Sequence, residues 1–123
     1  MNHLTDIRTI AIPVADQDRA LDFYVGRLGF EKLMDAPVEQ LGGRWIVVAP
    51  PGASTTIALT PASDTTPAGI DTGIRFATAN AAAAHEALTS AGVSTDELLT
   101  WPGIPPMFTF RDPDGNQLYL VEE

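Results

Sequence analysis

The chain has 123 residues, 45% of them hydrophobic and none of them cysteine, which excludes a disulfide framework and a thiolate metal site. Its formal net charge of −9, from 16 acidic and 7 basic residues, argues against nucleic acid as a partner, since phosphates would be repelled. No run approaches the roughly 18 apolar residues of a membrane span, and MNHLTDIRTI does not resemble a secretory leader. The sequence therefore predicts a cytoplasmic protein with no membrane partner.

The first half of the chain predicts a strand, a helix and three further extended segments. β-Branched residues recur through IRTIAIPV (7–14), which is typical of a strand. Asp16 stands where a helix N-cap would, and apolar residues at helical spacing follow it as far as Gly29, a natural helix end. The extended segments follow, over 30–40, 44–50 and 55–60.

The second half repeats this order after a linker. Residues 61–71 are rich in Pro, Ser, Thr and Gly, and they favour an irregular connection. A strand is predicted over 72–79, and a helix begins after Asn80 and ends at Gly92. The remaining extended segments are 93–99, 107–112 and 116–122, with DPDG as a tight turn before the last one.

These elements make an internal repeat of the order β-α-β-β-β. The two halves share few identical residues, but their landmarks are similarly spaced. Asp16 and Asn80 occupy equivalent positions in their halves, as do Gly52 and Gly115. The fold class is therefore predicted to be α+β. A single domain, 1–123, would contain one module over 5–60, the linker, and a second module over 72–123.

Successive side chains of a strand point to opposite faces of the sheet, so the residues alternate between two environments. The apolar parity is expected to face the helices. The opposite parity is small or polar and would line a cavity or, alternatively, face solvent; its members are Thr9, Ala11, Thr56, Ala58, Gly73, Arg75, Gln117 and Tyr119.

Four stretches resemble the vicinal oxygen chelate superfamily, which includes glyoxalase I, extradiol dioxygenases and bleomycin-resistance proteins. They are IAIPVADQDRALDFYVGRLGFE, RWIVVAPPGASTTIAL, GIRFATANAAAAHEAL and FRDPDGNQLYLVE. The resemblance implies two βαβββ modules that form an open, barrel-like sheet with a cavity. It also implies a homodimer, because many members form the cavity with modules of two chains.

The metal-dependent members of the superfamily place His, Gln or Glu ligands at four positions on the first and last strands of the modules. The resemblance puts those positions at Thr9, Thr56, Gly73 and Tyr119, none of which is a His or a carboxylate. A divalent site needs about three good N or O donors. We therefore expect no metal and no other cofactor.

The leading interpretation is a metal-free protein that binds a small organic molecule, with no catalytic residue assigned. The alternative is a metal-dependent lyase, isomerase or dioxygenase of the glyoxalase type. An enzyme without a metal would need a general base, for which Asp35 and Glu39 are weak candidates.

The predicted ligand contacts are polar or aromatic residues on or beside the strands of the mixed face. Arg75 would bind an anionic group of the ligand or pair with a protein carboxylate, whereas the acidic chain suits a cationic, planar ligand. Trp101 lies in a Pro-rich loop and would act as a lid or contact the ligand directly. The full set is Thr9, Trp45, Thr56, Arg75, Trp101, Phe108 and Tyr119.

Overall fold

The computed structural model describes residues 2–123, which divide between Pro67 and Ala68 into two compact units, called unit 1 and unit 2. The elements of unit 1 are β1 (Thr9–Val14), α1 (Gln17–Leu21) with a π-helical continuation (Asp22–Arg27), β2 (Glu31–Val38), a 3-10 turn (Glu39–Leu41), β3 (Gly43–Ala49) and β4 (Thr56–Pro61). The elements of unit 2 are β5 (Asp71–Thr78), α2 (Ala81–Ser90), β6 (Ser94–Thr95), β7 (Met107–Arg111) and β8 (Gln117–Glu122).

Each unit contains one open, four-stranded sheet. The strand order is β1-β4-β3-β2 in unit 1 and β5-β8-β7-β6 in unit 2. In both sheets the first strand pairs in parallel with the last, and the other pairs are antiparallel. The predicted α+β class and the repeated βαβββ order are confirmed.

The predicted N-caps hold the starts of both helices. The side chain of Asp16 accepts a hydrogen bond from the backbone N–H of Arg19 at 3.0 Å, and that of Asn80 accepts one from Ala83 at 3.0 Å. These contacts satisfy backbone donors that the first helical turn leaves without partners. Among residues 2–123, no helix combines the length and the apolar character that a membrane crossing requires.

The core of each unit lies between its helix and one face of its sheet. Ile12, Ile46 and Leu59 are fully buried with Tyr24 in unit 1, and Phe108, Phe110 and Leu118 are fully buried in unit 2. On β7 and β8 the neighbouring residues remain partly exposed, as the alternation predicts, whereas Pro13 of β1 and Ala58 of β4 are also buried. We call the sheet face away from the helix the open face of each unit.

The DPDG turn is joined to the start of β5 by a buried polar cluster. Asp112 accepts hydrogen bonds from the backbone of Asp114 and Asn116, both at 2.9 Å. Asn116, which is fully buried, accepts from the backbone N–H groups of Gly69 at 2.8 Å and Ile70 at 3.1 Å. The end of the predicted linker is therefore held against the turn that precedes β8.

Replacing Asn116 with Ala is expected to destabilise the protein by about 1–3 kcal/mol, because it removes the acceptor of two part-buried backbone N–H groups and one of the donors to Asp112. Urea unfolding measures this change. Gln40→Ala, at an exposed position, is the control and should stay within about 0.5 kcal/mol of the wild type. A similarly small effect for Asn116→Ala would show that the cluster does not hold the linker.

Candidate functional site

The open face of unit 1 carries a pocket of about 320 Å³. The parallel register places Thr9 of β1 opposite Thr56 of β4, and their hydroxyl oxygens lie 2.7 Å apart. The walls combine these hydroxyls with apolar side chains from β2 and β3. The lining residues are Arg8, Thr9, Leu33, Met34, Trp45, Val47, Ser54 and Thr56.

The two threonines form a polar spot in an otherwise mostly apolar pocket. The hydroxyl of Thr56 donates to the backbone carbonyl of Arg8 at 3.1 Å. Because a hydroxyl has only one proton, Thr9 then donates to Thr56, and the lone pairs of the Thr9 oxygen stay available. The pair can accept a hydrogen bond from a ligand, while Trp45 offers an aromatic surface.

The open face of unit 2 carries a stacked cation. The guanidinium carbon of Arg75 lies 4.1 Å from the centre of the Tyr119 ring, which is cation–π geometry. The phenol of Tyr119 donates to the Asp71 carboxylate at 2.7 Å and accepts from the Gln117 amide at 2.9 Å. Arg75 also donates to the carbonyl of Gly73 at 2.7 Å.

A bulge in β5 corrects the register expected from the sequence. Asp71 pairs with Gln117 and Arg75 pairs with Tyr119, so β5 uses two more residues than β8 over this interval. Gly73 lies inside the bulge with φ +69°, a conformation that favours glycine. Arg75, rather than Gly73, is therefore the counterpart of Thr9.

The polar network of unit 2 continues across β7. Arg111 donates to Gln117 at 3.1 Å and forms an ion pair with Asp96 at 2.9 Å. The hydroxyl of Thr109 also donates to Asp96. Together these two donors hold the pKa of Asp96 below its ordinary value, the Thr109 hydrogen bond having the larger effect.

Asp71 lies on the open face and is held as an anion. The hydrogen bond from Tyr119 lowers its pKa most, followed by that from the Gly73 N–H and by the charge of Arg75. The prediction had left Asp71 in the linker. The DTG sequence was the available signal, because Asp often accepts a hydrogen bond from the backbone two residues later, as Asp71 does from Gly73 at 3.0 Å.

Two of the seven predicted contact residues lie apart from the others. Phe108 is fully buried and packs edge-on against His85 of α2, with ring centres 4.9 Å apart, so it belongs to the helix-covered face. Trp101 lies in the loop between β6 and β7 with 57% of its surface exposed. The remaining five divide between the open faces: Thr9, Trp45 and Thr56 in unit 1, and Arg75 and Tyr119 in unit 2.

Asp35 and Glu39, the candidate general bases, lie outside the unit 1 pocket. Asp35 accepts two hydrogen bonds from Arg44, at 3.0 and 2.9 Å, which lower the pKa of Asp35. Glu39 opens the 3-10 turn after β2 and is exposed.

The side chains at the positions that hold the metal in other superfamily members do not fit a divalent cation. In the observed register these side chains are Thr9, Thr56, Arg75 and Tyr119. They supply two hydroxyls bonded to each other, a guanidinium and a phenol, and a guanidinium repels a cation. The nearby carboxylate of Asp71 already accepts from Tyr119 and Gly73. Within residues 2–123, no group of three or more His, Cys, Asp or Glu side chains could hold a metal ion.

We expect an NMR titration to place the pKa of Asp71 below 3.8, and Tyr119→Phe to raise it towards 3.8 by removing the phenol donor. Since the folded pKa is the lower one, the stability that Asp71 contributes is present above its unfolded pKa and is lost as pH falls through the folded pKa. Asp35, whose pKa is lowered by Arg44 of unit 1, should titrate unchanged and is the internal control. An Asp71 midpoint that does not respond to Tyr119→Phe would contradict this assignment.

Comparisons with known proteins agree over nearly the whole chain. A family model described as the Glyoxalase/Bleomycin resistance protein/Dioxygenase superfamily matches residues 2–120. The uncharacterized protein YetH of Bacillus subtilis (strain 168) is 30% identical over 123 residues, which cover 97% of this chain and 99% of YetH.

Two solved structures are similar at comparable identity. TnmS3, an antibiotic binding protein from Streptomyces sp. CB03234, has a TM-score of 0.89 and 34% identity, covering 99% of this chain and 98% of TnmS3. A superfamily member from Sphaerobacter thermophilus DSM 20745 has a TM-score of 0.87 and 38% identity, covering 98% of each chain. The chain belongs to the glyoxalase/bleomycin resistance protein/dioxygenase superfamily.

Proposed function

We propose that this protein binds a small organic molecule without a metal ion or other cofactor and releases it unchanged. The observation that carries the proposal is the pocket on the open face of unit 1. Its volume of about 320 Å³ lies within the range of small-molecule sites, and it joins apolar walls to a few polar groups.

The chemistry of the open faces favours binding over catalysis. A general base needs a pKa near the working pH and a free lone pair aimed at the substrate. The pKa of Asp71 is lowered instead, and both of its oxygens already accept hydrogen bonds, from Tyr119 and from Gly73. The threonine hydroxyls have no adjacent base among the residues that line the pocket.

The class of ligand that we propose is an aromatic or otherwise planar antibiotic. Trp45, Met34 and Val47 supply a flat ring and flexible apolar side chains, which suit a planar molecule. The likeness to TnmS3, whose description is that of an antibiotic binding protein, supports the same class.

In this proposal the protein acts in the cytoplasm as a homodimer, as the absence of cysteine and the family resemblance suggest. Sedimentation equilibrium would then give twice the chain mass of 13.1 kDa. A mass of one chain at the concentrations used for ligand binding would remove the dimer from the proposal.

A direct test titrates the protein with a panel of planar aromatic antibiotics. In the Trp101→Phe variant, Trp45 is the only tryptophan, so saturable quenching would report on the pocket. Trp45→Ala should weaken binding about tenfold when measured by calorimetry, because the ligand loses an aromatic contact and the burial that accompanies it.

The matched control is Leu41→Ala, which truncates an exposed apolar residue outside the pocket and should leave the affinity within about twofold of the wild type. The proposal fails if no member of the panel binds saturably. If Leu41→Ala and Trp45→Ala weaken binding equally, the ligand does not bind in the unit 1 pocket.

A further inference from the structure

Two cations remain without a carboxylate partner in a strongly acidic chain. Acidic residues outnumber basic ones by 16 to 7, and Arg44 alone pairs with both Asp18 and Asp35. Yet among residues 2–123 neither Arg8 nor Arg75 forms an ion pair. Both belong to open faces: Arg8 lines the unit 1 pocket, and Arg75 lies on Tyr119 in unit 2.

The guanidinium of Arg75 is held in one orientation. Arg75 is exposed, but its guanidinium carbon lies 4.1 Å from the centre of the Tyr119 ring, and its Nη1 donates to the Gly73 carbonyl at 2.7 Å. Within the described part of the chain, Nε and Nη2 have no acceptor. These two nitrogens form one edge of a planar fork, which matches the two oxygens of a carboxylate.

The Asp71 carboxylate is engaged by donors other than Arg75. One Asp71 oxygen accepts from Tyr119 at 2.7 Å and the other from Gly73 at 3.0 Å. The carboxylate therefore fixes the ring under Arg75 and the bulge beside it. Because the guanidinium is already immobilised, a ligand that binds its free edge loses less side-chain entropy.

We propose that Arg75 receives a carboxylate of the ligand through its Nε and Nη2 edge, with Tyr119 as the supporting platform. This inference goes beyond the proposed function, because it assigns to the open face of unit 2 a site for a small organic acid. The net charge of −9 does not oppose it, because charges are screened beyond about 8 Å at physiological ionic strength, whereas the contact with Arg75 is direct.

The test uses naphthalene-2-carboxylate and its neutral counterpart naphthalene-2-carboxamide as probes. In an ¹H–¹⁵N NMR titration, the Arg75 Nε–H signal should shift saturably with the acid and much less with the amide. Arg75→Lys, which has no guanidinium, assigns that signal by its loss. Aliphatic and backbone signals of the unit 1 pocket report whether either probe binds there.

Affinities of three variants separate a direct contact from a general charge effect. Arg75→Gln should weaken binding of the acid about tenfold or more and leave the amide within about twofold. Arg75→Lys keeps the charge but loses the planar fork, so an intermediate affinity is expected. Arg19→Gln removes the same charge from α1 and should leave the affinity for the acid nearly unchanged.

The inference is overturned if both probes bind equally well, or if Arg19→Gln weakens the acid as much as Arg75→Gln does. In either case saturable binding of the probes would leave the proposed function standing. If neither probe binds the wild type, the inference falls; the proposed function is then decided separately by the antibiotic panel.

Discussion

The parallel pairing of the first and last strands of each unit determines which side chains meet on the open faces. In unit 1 it brings Thr9 to Thr56, and in unit 2 it brings Arg75 to Tyr119. Since alternate residues of a strand face opposite ways, the same pairing sends the neighbouring apolar residues beneath the helices. The core and the candidate site thus depend on the same strand register. A shift of one residue in that register would move the core side chains to the open face and the site side chains to the helix-covered face.

The two units use the same topology for different chemistry. The open face of unit 1 contains a pocket whose lining joins apolar side chains to a pair of threonine hydroxyls, Ser54 and Arg8. The open face of unit 2 is a polar network whose Tyr119–Asp71 contact fixes an arginine. The difference starts with the bulge at Gly73, because the two extra residues place Arg75, rather than Gly73, opposite Tyr119.

Much of this arrangement is predictable from the sequence, because strand alternation and helix caps are local signals. Asp16 and Asn80 mark the helix starts, and in β1 the alternation of Ile10, Ile12 and Val14 with other residues separates the two faces. The bulge is not predictable in this way, since it depends on the backbone conformation of a single glycine. The sequence therefore predicts Gly73 as the counterpart of Thr9, where the structure has Arg75, two residues later. Phe108 is among the predicted ligand contacts because an aromatic residue in a strand suits a core and a ligand equally; its packing against His85 places it on the helix-covered face.

The central claim is that the protein binds its ligand without a metal ion. It is tested by the metal content of the purified protein after equilibrium dialysis against low micromolar Ni²⁺, Zn²⁺, Mn²⁺ and, under anaerobic conditions, Fe²⁺. The hydroxyl pair, the guanidinium and the phenol predict no stoichiometric retention of any of these ions. Stoichiometric binding that a chelator reverses would contradict the account and would favour a metal-dependent enzyme instead.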